Sequence, residues 1–340
     1  MSTPVITFFN NKGGVGKTSM VYHLSHMFAE EGMKVLTADL DPQCNLTAAF
    51  LDEDRLEQIM GGTEGVLTIF GAVRPIQRGI GDLSDPHRES INENLTLIPG
   101  DMGLSMFEDD LSQNWPICLA GDDRAERAYR VTSAFWRILQ RSAEMEKADV
   151  ILIDLGPNLG ATNRASLIAS DYVVIPLGPD LFSLQGLENL GPTLRLWRSD
   201  WSKRLEHKPE LDFPLPSGRI TPVGYVVLRH SIRLDRPVRA FEKWMARIPG
   251  TYAKAVLDKE PAEGLTLETD PNCIAKLRDY RSLMPLAEEA RKPMFFLKPG
   301  DGALGAHTNA VHEAYRDFSS VAKEIARRTG IARVPSAVDG

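Results

Sequence analysis

The sequence predicts an α/β fold, a mostly parallel twisted sheet with helices on both faces. Two observations carry this. Short runs of Val, Ile, Leu and Thr alternate with longer helical stretches, the rhythm of strands buried on both faces. The first run leads straight into a glycine-rich segment, NNKGGVGKTS at 10–19, which opens a helical stretch and so has the strand–turn–helix context of a phosphate loop.

Taken in order, strands are expected at 5–9 (VITFF), 34–39 (KVLTAD), 95–98 (LTLI), 149–154 (DVILID), 172–176 (YVVIP) and 222–228 (PVGYVVL). Helices are expected at 17–31, 123–147, 160–169, 183–201, 235–247 and 308–328. The last carries Val311, Ala314, Tyr315, Phe318, Val321, Ala322 and Ile325 at helical spacing. A membrane-binding face would read the same way, but acidic residues interrupt the stripe and a proline-containing tail follows, so packing on the sheet is expected. Residues 52–94 read as glycine-rich, acidic and irregular, and 205–218 as a proline-punctuated loop; neither has the length or periodicity of a domain. The expected organisation is one domain over 1–330, with long loops at 52–94 and 205–218, and a flexible tail at 331–340.

Composition sets the bounds. The chain has 340 residues, 43% of them hydrophobic and 25% charged, ample for a core and ordinary for a soluble protein. Cys44, Cys118 and Cys273 lie far apart without C-x-x-C spacing, which argues against a disulfide framework or a zinc site and for a reducing, cytoplasmic setting. The first apolar run lacks a basic region before it and ends in NNK, so it reads as a strand and not a signal peptide. No stretch approaches the roughly 18 apolar residues of a membrane span. The net charge of −7 argues against indiscriminate nucleic-acid binding, yet its distribution is uneven. Residues 39–126 hold 18 acidic and 5 basic side chains, whereas 195–254 hold 13 basic and 6 acidic. Such asymmetry marks either a partner-facing surface or solvated helix faces.

The glycine-rich segment carries the chemistry. The usual phosphate-loop pattern, G-x-x-x-x-G-K-[ST], would place a glycine at 11; Asn11 stands there and Lys12 follows. Gly13, Gly14 and Gly16, with Val15 between them, let backbone N–H groups turn toward phosphate oxygens, and the helix that follows presents its positive dipole end to the same anion. Lys17 is expected to reach the β- and γ-phosphates, Thr18 to ligate Mg²⁺, and Ser19 to bond the α-phosphate. The loop is therefore expected to hold a nucleotide's phosphates together with Mg²⁺. Other chemistries find little support. His23 and His26 lack metal partners and read as surface or packing residues, and His307 and His312 are as isolated. There is no G-x-S-x-G elbow, and Asp109-Asp110 and Asp122-Asp123 read as solvated faces.

Lys12 makes the resemblance specific. The K-G-G-x-G-K-[TS] form resembles the deviant Walker A loop of the ParA/MinD partition ATPases, closest to the Soj-like ParA branch. That resemblance implies that Lys12 is the signature lysine, which reaches across a dimer interface to the partner's nucleotide, and that the active form is an ATP-bound homodimer. TADLDPQCNLT (37–47) is similar to the family's D-x-D-P-Q-G-N segment, which implies Asp39 near the metal's outer shell and Asp41 orienting or activating the attacking water. Cys44 stands where glycine is usual; it either strains a position needing positive φ, fills a tolerant site, or serves as a redox switch. DVILIDLGPNLG (149–160) is similar to the second metal motif, with Asp154 holding Mg²⁺ through water and Gly156-Pro157 as the second switch. Stretches 95–111 and 170–190 also resemble ParA proteins.

The resemblance implies a slow, Mg-dependent, partner-stimulated ATP hydrolase that binds duplex DNA nonspecifically, is nucleoid-associated and works with a ParB-type adaptor. Arg195 matches one family DNA-contact position, and Arg233 and Arg236 lie nearest another. The tail IARVPSAVDG disfavours the membrane-riding branch, and no helix-turn-helix extension precedes the loop. Partition of plasmid, chromosome or other cargo is the leading expectation. The alternative is an ATP-switched regulatory, positioning, mobile-element or defence protein without DNA transport. A dethiobiotin-synthetase-type ligase would leave Lys12 without a purpose.

Overall fold

The computed structural model describes residues 2–61, 67–228, 238–280 and 282–331. The elements run β1 (Val5–Phe8), α1 (Lys17–Glu30), β2 (Val35–Asp39), α2 (Asn45–Phe50), α3 (Glu53–Gly61), α4 (Ile69–Gln77), β3 (Glu89–Asn92), β4 (Leu95–Ile98), α5 (Leu104–Ile117) and α6 (Asp123–Thr132). They continue with α7 (Ala134–Glu146), β5 (Val150–Asp154), α8 (Ala161–Ile168), β6 (Tyr172–Leu177), α9 (Leu181–Glu206), β7 (Thr221–Leu228) and α10 (Val238–Thr251). A π-turn (Tyr252–Val256), β8 (Cys273–Leu277), α11 (Met284–Ala290), two 3₁₀ turns (Met294–Phe296 and Pro299–Asp301) and α12 (Ala306–Thr329) complete them.

The eight strands form one sheet in the order β3-β4-β2-β5-β1-β6-β7-β8. Every neighbour pair is parallel except β3 with β4. The expected parallel sheet is therefore present, with one antiparallel edge. Strand residues alternate between two cores: Ile151 and Ile153 of β5 join the layer under α4–α9, while Val150 and Leu152 join the layer under α1 and α12. The α12 stripe packs as expected, with Val311, Ala314, Phe318, Val321, Ala322 and Ile325 buried; Tyr315 stays 36% exposed.

Three expectations are corrected in outline. The helix expected over 123–147 is two: α6 ends at Thr132 and α7 starts at Ala134, with Ser133 between them at φ −92° and ψ 2°. Residues 52–94 are not irregular throughout: α3, α4 and β3 lie there. In α4, Gly71 and Pro75 disguise a face of Ile69, Phe70, Ala72, Val73 and Ile76, all buried. α9 begins earlier and ends later than the expected 183–201, running from Leu181, capped by Asp180, through Glu206. Among the described residues, no helix is long and apolar enough to cross a membrane.

Candidate nucleotide site

β1 lies at the middle of the site, with β5 on one side and β6 on the other. Register sets Phe8 beside Asp154, and Asp154 beside Asp39, so three parallel strands deliver their carboxyl ends to one point. The loop leaving β1 is tied down before it turns. Phe9 N–H donates to the Val174 carbonyl at 3.0 Å, and Asn10 donates through Nδ2 to the Pro176 carbonyl at 2.8 Å. Gly14 and Gly16 then take φ of 70° and 76°, the left-handed region that a side chain would resist, and Gly16 caps α1.

The two loop lysines point to different places. Lys17 turns inward and donates to the Lys12 carbonyl at 3.1 Å. Burial pushes its pKa below the usual lysine value, although Asp154 and Asp41 pull the other way. Lys12 turns outward, with Nζ 2.5 Å from Asp180 Oδ2 and 3.5 Å from Ser183 Oγ on α9. Its own N–H donates to Asn10 Oδ1 at 3.0 Å.

The carboxylates are packed where water is scarce. Thr18 Oγ1 donates to Asp154 Oδ2 at 2.7 Å, while Asp154 Oδ1 is buried with no hydrogen-bond partner. Burial first, and then the charge of Asp39, push the Asp154 carboxyl well above the ordinary range. Burial also raises Asp39 to about 6, against the lowering effect of bonds from the Thr47 hydroxyl and N–H. An orphaned carboxylate oxygen beside a threonine hydroxyl, at the head of an anion-binding helix, fits a hydrated Mg²⁺ carried in with phosphates. Among the described residues there is no group of three or more His, Cys, Asp or Glu that could hold a metal ion.

Asp41 accepts the Gln43 N–H at 3.0 Å and lies close to Gly156, where an added Cβ would sit 3.1 Å from Asp41 Oδ1. Cys44 takes φ of 54°, so the position does use the left-handed region that glycine favours. Its thiol is buried, and burial followed by the charges of Asp39, Asp101 and Asp41 pushes its pKa up to about 12.

His23 is a packing residue, fully buried, with Nδ1 2.7 Å from the Ser19 carbonyl and Nε2 accepting the Met294 N–H at 3.2 Å. A carbonyl only accepts and an amide N–H only donates, so Nδ1 carries the single proton. Arg195 lies away from the loop. Its Nη1 donates to the Ala255 and Val256 carbonyls at 2.6 and 3.1 Å, and Nη2 lies 3.7 Å from Asp258. Arg233 and Arg236 lie outside the described residues.

Two partners escaped the sequence reading. Thr47 holds Asp39, although it ends the very segment singled out, and Asp180 holds Lys12 from 168 residues away. The D-x-x-S of Asp180-Leu-Phe-Ser183 is a helix-cap signature and was the available signal.

Comparison with known proteins agrees with this geometry. The AAA_31 family, an AAA domain, matches residues 3–207, through the end of α9. The chain is 34% identical over 186 residues to an uncharacterised protein of Methanocaldococcus jannaschii, covering 54% of this chain and 62% of that one. It is 31% identical over 193 residues to the sporulation initiation inhibitor protein Soj of Bacillus subtilis, covering 56% and 65%. The match thus spans less than two thirds of either relative. In fold, the chain resembles the ATP complex of Cyanothece McdA(D38A), with a TM-score of 0.59 at 15% identity, covering 98% of both chains.

Proposed function

We propose, because this chain belongs to the ParA/MinD-type P-loop ATPases, that it is an ATP-operated dimerising switch and Mg-dependent ATP hydrolase of the ParA kind. The observation that carries this reading is the division between two lysines of one loop. Lys17 turns to the loop's own Lys12 carbonyl while Lys12 turns away to Asp180 on α9, which supports assigning one to the subunit's own nucleotide and the other to that of a second copy.

The backbone N–H groups of Gly13 to Ser19 would cradle the β- and γ-phosphates, with Lys17 neutralising them and Ser19 reaching the α-phosphate. Thr18, with Asp154 and Asp39 behind water, would hold Mg²⁺, which supplies charge neutralisation on the phosphate oxygens. Asp41 would orient the attacking water, and its contact with Gly156 would make that orientation sensitive to the second switch. In the ATP-bound dimer, Lys12 would reach the partner's phosphates.

For the output we favour nonspecific binding of duplex DNA, nucleoid association and transport of plasmid, chromosome or other cargo with a ParB-type adaptor. The basic stretch 195–254 and the kinship with Soj support this. Arg195, Arg233 and Arg236 remain its proposed phosphate contacts. One observation favours the second reading, an ATP switch without DNA transport: the Arg195 guanidinium is already bonded to two backbone carbonyls. Binding to duplex of arbitrary sequence, titrated with salt in ATP, ADP and no nucleotide, separates the two. The first reading expects affinity only with ATP, falling with a log–log slope of about −0.9 per phosphate neutralised. No affinity with ATP even at low salt leaves the second.

A further inference from the structure

The outward lysine is not idle in the single subunit. Asp180 Oδ1 accepts the Ser183 N–H at 3.0 Å and caps α9, while Oδ2 receives Lys12 Nζ at 2.5 Å and, more distantly, the Ser183 hydroxyl at 3.4 Å. Burial alone would raise the Asp180 carboxyl, but the bond from Lys12 and the Ser183 N–H hold it below its ordinary value. The main chain of Lys12 is fixed at both ends, its N–H by Asn10 and its carbonyl by Lys17. α9 is pressed against the loop, since a Cβ on Gly186 would lie 2.9 Å from Asn10 Oδ1 and 3.0 Å from Asn11 Oδ1. Only the lysine side chain has freedom to move, and at 27% exposure it lies at the lip of the site.

We propose that Asp180 is a positioning residue that parks Lys12 within its own subunit, and that Lys12 must leave this carboxylate before it can serve the nucleotide of a second copy. The proposal rests on the reading that Lys12 acts across the interface. Magnitudes allow the exchange. An ion pair at this level of exposure shifts an equilibrium by about five-fold at most, whereas the partner's triphosphate offers several charges and unoccupied acceptors. The pair is strong enough to hold the lysine in the free subunit and weak enough to be displaced. Asp180 therefore sets the concentration at which subunits pair.

The test is the protein concentration at which the full chain dimerises with Mg²⁺ and a non-hydrolysable ATP analogue, measured by sedimentation. Asp180→Asn and Asp180→Ser both keep a capping side chain and remove the charge. Each dimer breaks two such pairs, so the expected result is a midpoint lowered by up to about twenty-five-fold in both, with monomer ATP affinity and melting temperature near wild type. A merely structural Asp180 would move the midpoint upward when replaced, so the direction itself discriminates. An unchanged or raised midpoint, with Lys12→Ala still unable to dimerise, overturns the parking role and leaves the cross-interface role standing. If Lys12→Ala dimerises like wild type, the cross-interface reading fails, and the parking role with it.

Discussion

Asp39 and Asp154 are register partners at the ends of adjacent parallel strands, two fully buried carboxylates side by side with one oxygen of Asp154 unpaired. After burial, the charge of Asp39 raises the Asp154 carboxyl further, while the charge of Asp41 adds to the rise of Asp39. The site is therefore under electrostatic tension until a cation arrives. Asp154→Asn keeps an oxygen for the Thr18 hydroxyl and removes one charge. It should stabilise the nucleotide-free protein by about 1–3 kcal/mol and raise its melting temperature. The same variant should lose the strengthening of ATP binding by Mg²⁺, measured calorimetrically with and without the metal. A less stable variant would remove the tension argument.

Gly156 should tolerate no side chain for a reason distant from its own backbone. Its φ is ordinary, but an added Cβ would press on Asp41 Oδ1 at 3.1 Å. Gly156→Ala should bind ATP normally and turn over about ten- to a hundred-fold more slowly, the usual loss when a reacting group is displaced by a fraction of an ångström to one. Full activity in this variant would detach Asp41 from the second switch.

Acid should unfold the protein partly through one ring. Burial lowers His23 to about 4, and lowers His26, with the His23 charge adding, to about 3. Below pH 6.5 the unfolded chain protonates these rings and the folded chain does not. Stability is therefore full above pH 6.5 and falls as the pH drops toward 4, by about 3 kcal/mol for His23. His23→Gln, which gains no proton there, should flatten the curve of denaturant unfolding against pH. An unaltered slope would clear His23.

Cys44 occupies a left-handed position without being glycine. Cys44→Gly relieves that strain but adds freedom to the unfolded chain, so stability should change by only about 0–1 kcal/mol. Cys44→Val, β-branched at the same φ, should cost about 2 kcal/mol or more. Native protein should resist thiol alkylation at this site near neutral pH, because the thiol is held at about 12. Rapid labelling of the folded chain would restore the redox-switch reading.

How much was legible follows from where the constraints lie. The central strands β1, β2, β4, β5, β6 and β7 are buried on both faces, so their composition alone announces them. β3, with ESIN, and β8, with CIAKL, are edge strands; half-exposed and partly polar, they carry no continuous apolar run. The phosphate loop was readable because its chemistry is set by residues adjacent in the chain. Asp180 was not, because its partner is brought to it only by the turn of β6 into α9. The break at Ser133 was not readable either, because neither glycine nor proline stands between α6 and α7 to mark it.

α9 begins one residue after Asp180 and extends through Glu206, 26 residues or about 39 Å. Near its middle, Gly191 lies so close to the π-turn that a Cβ would collide with the Ala255 carbonyl, and Pro192 withholds a backbone donor at the next position. Arg195 fastens the helix to the same carbonyl one turn later. The far half is held as firmly, by Tyr129 on the Arg204 carbonyl and by Trp201 on the Pro216 carbonyl. The helix is thus a beam clamped along its length, and the carboxylate at its head stays where it is when Lys12 departs.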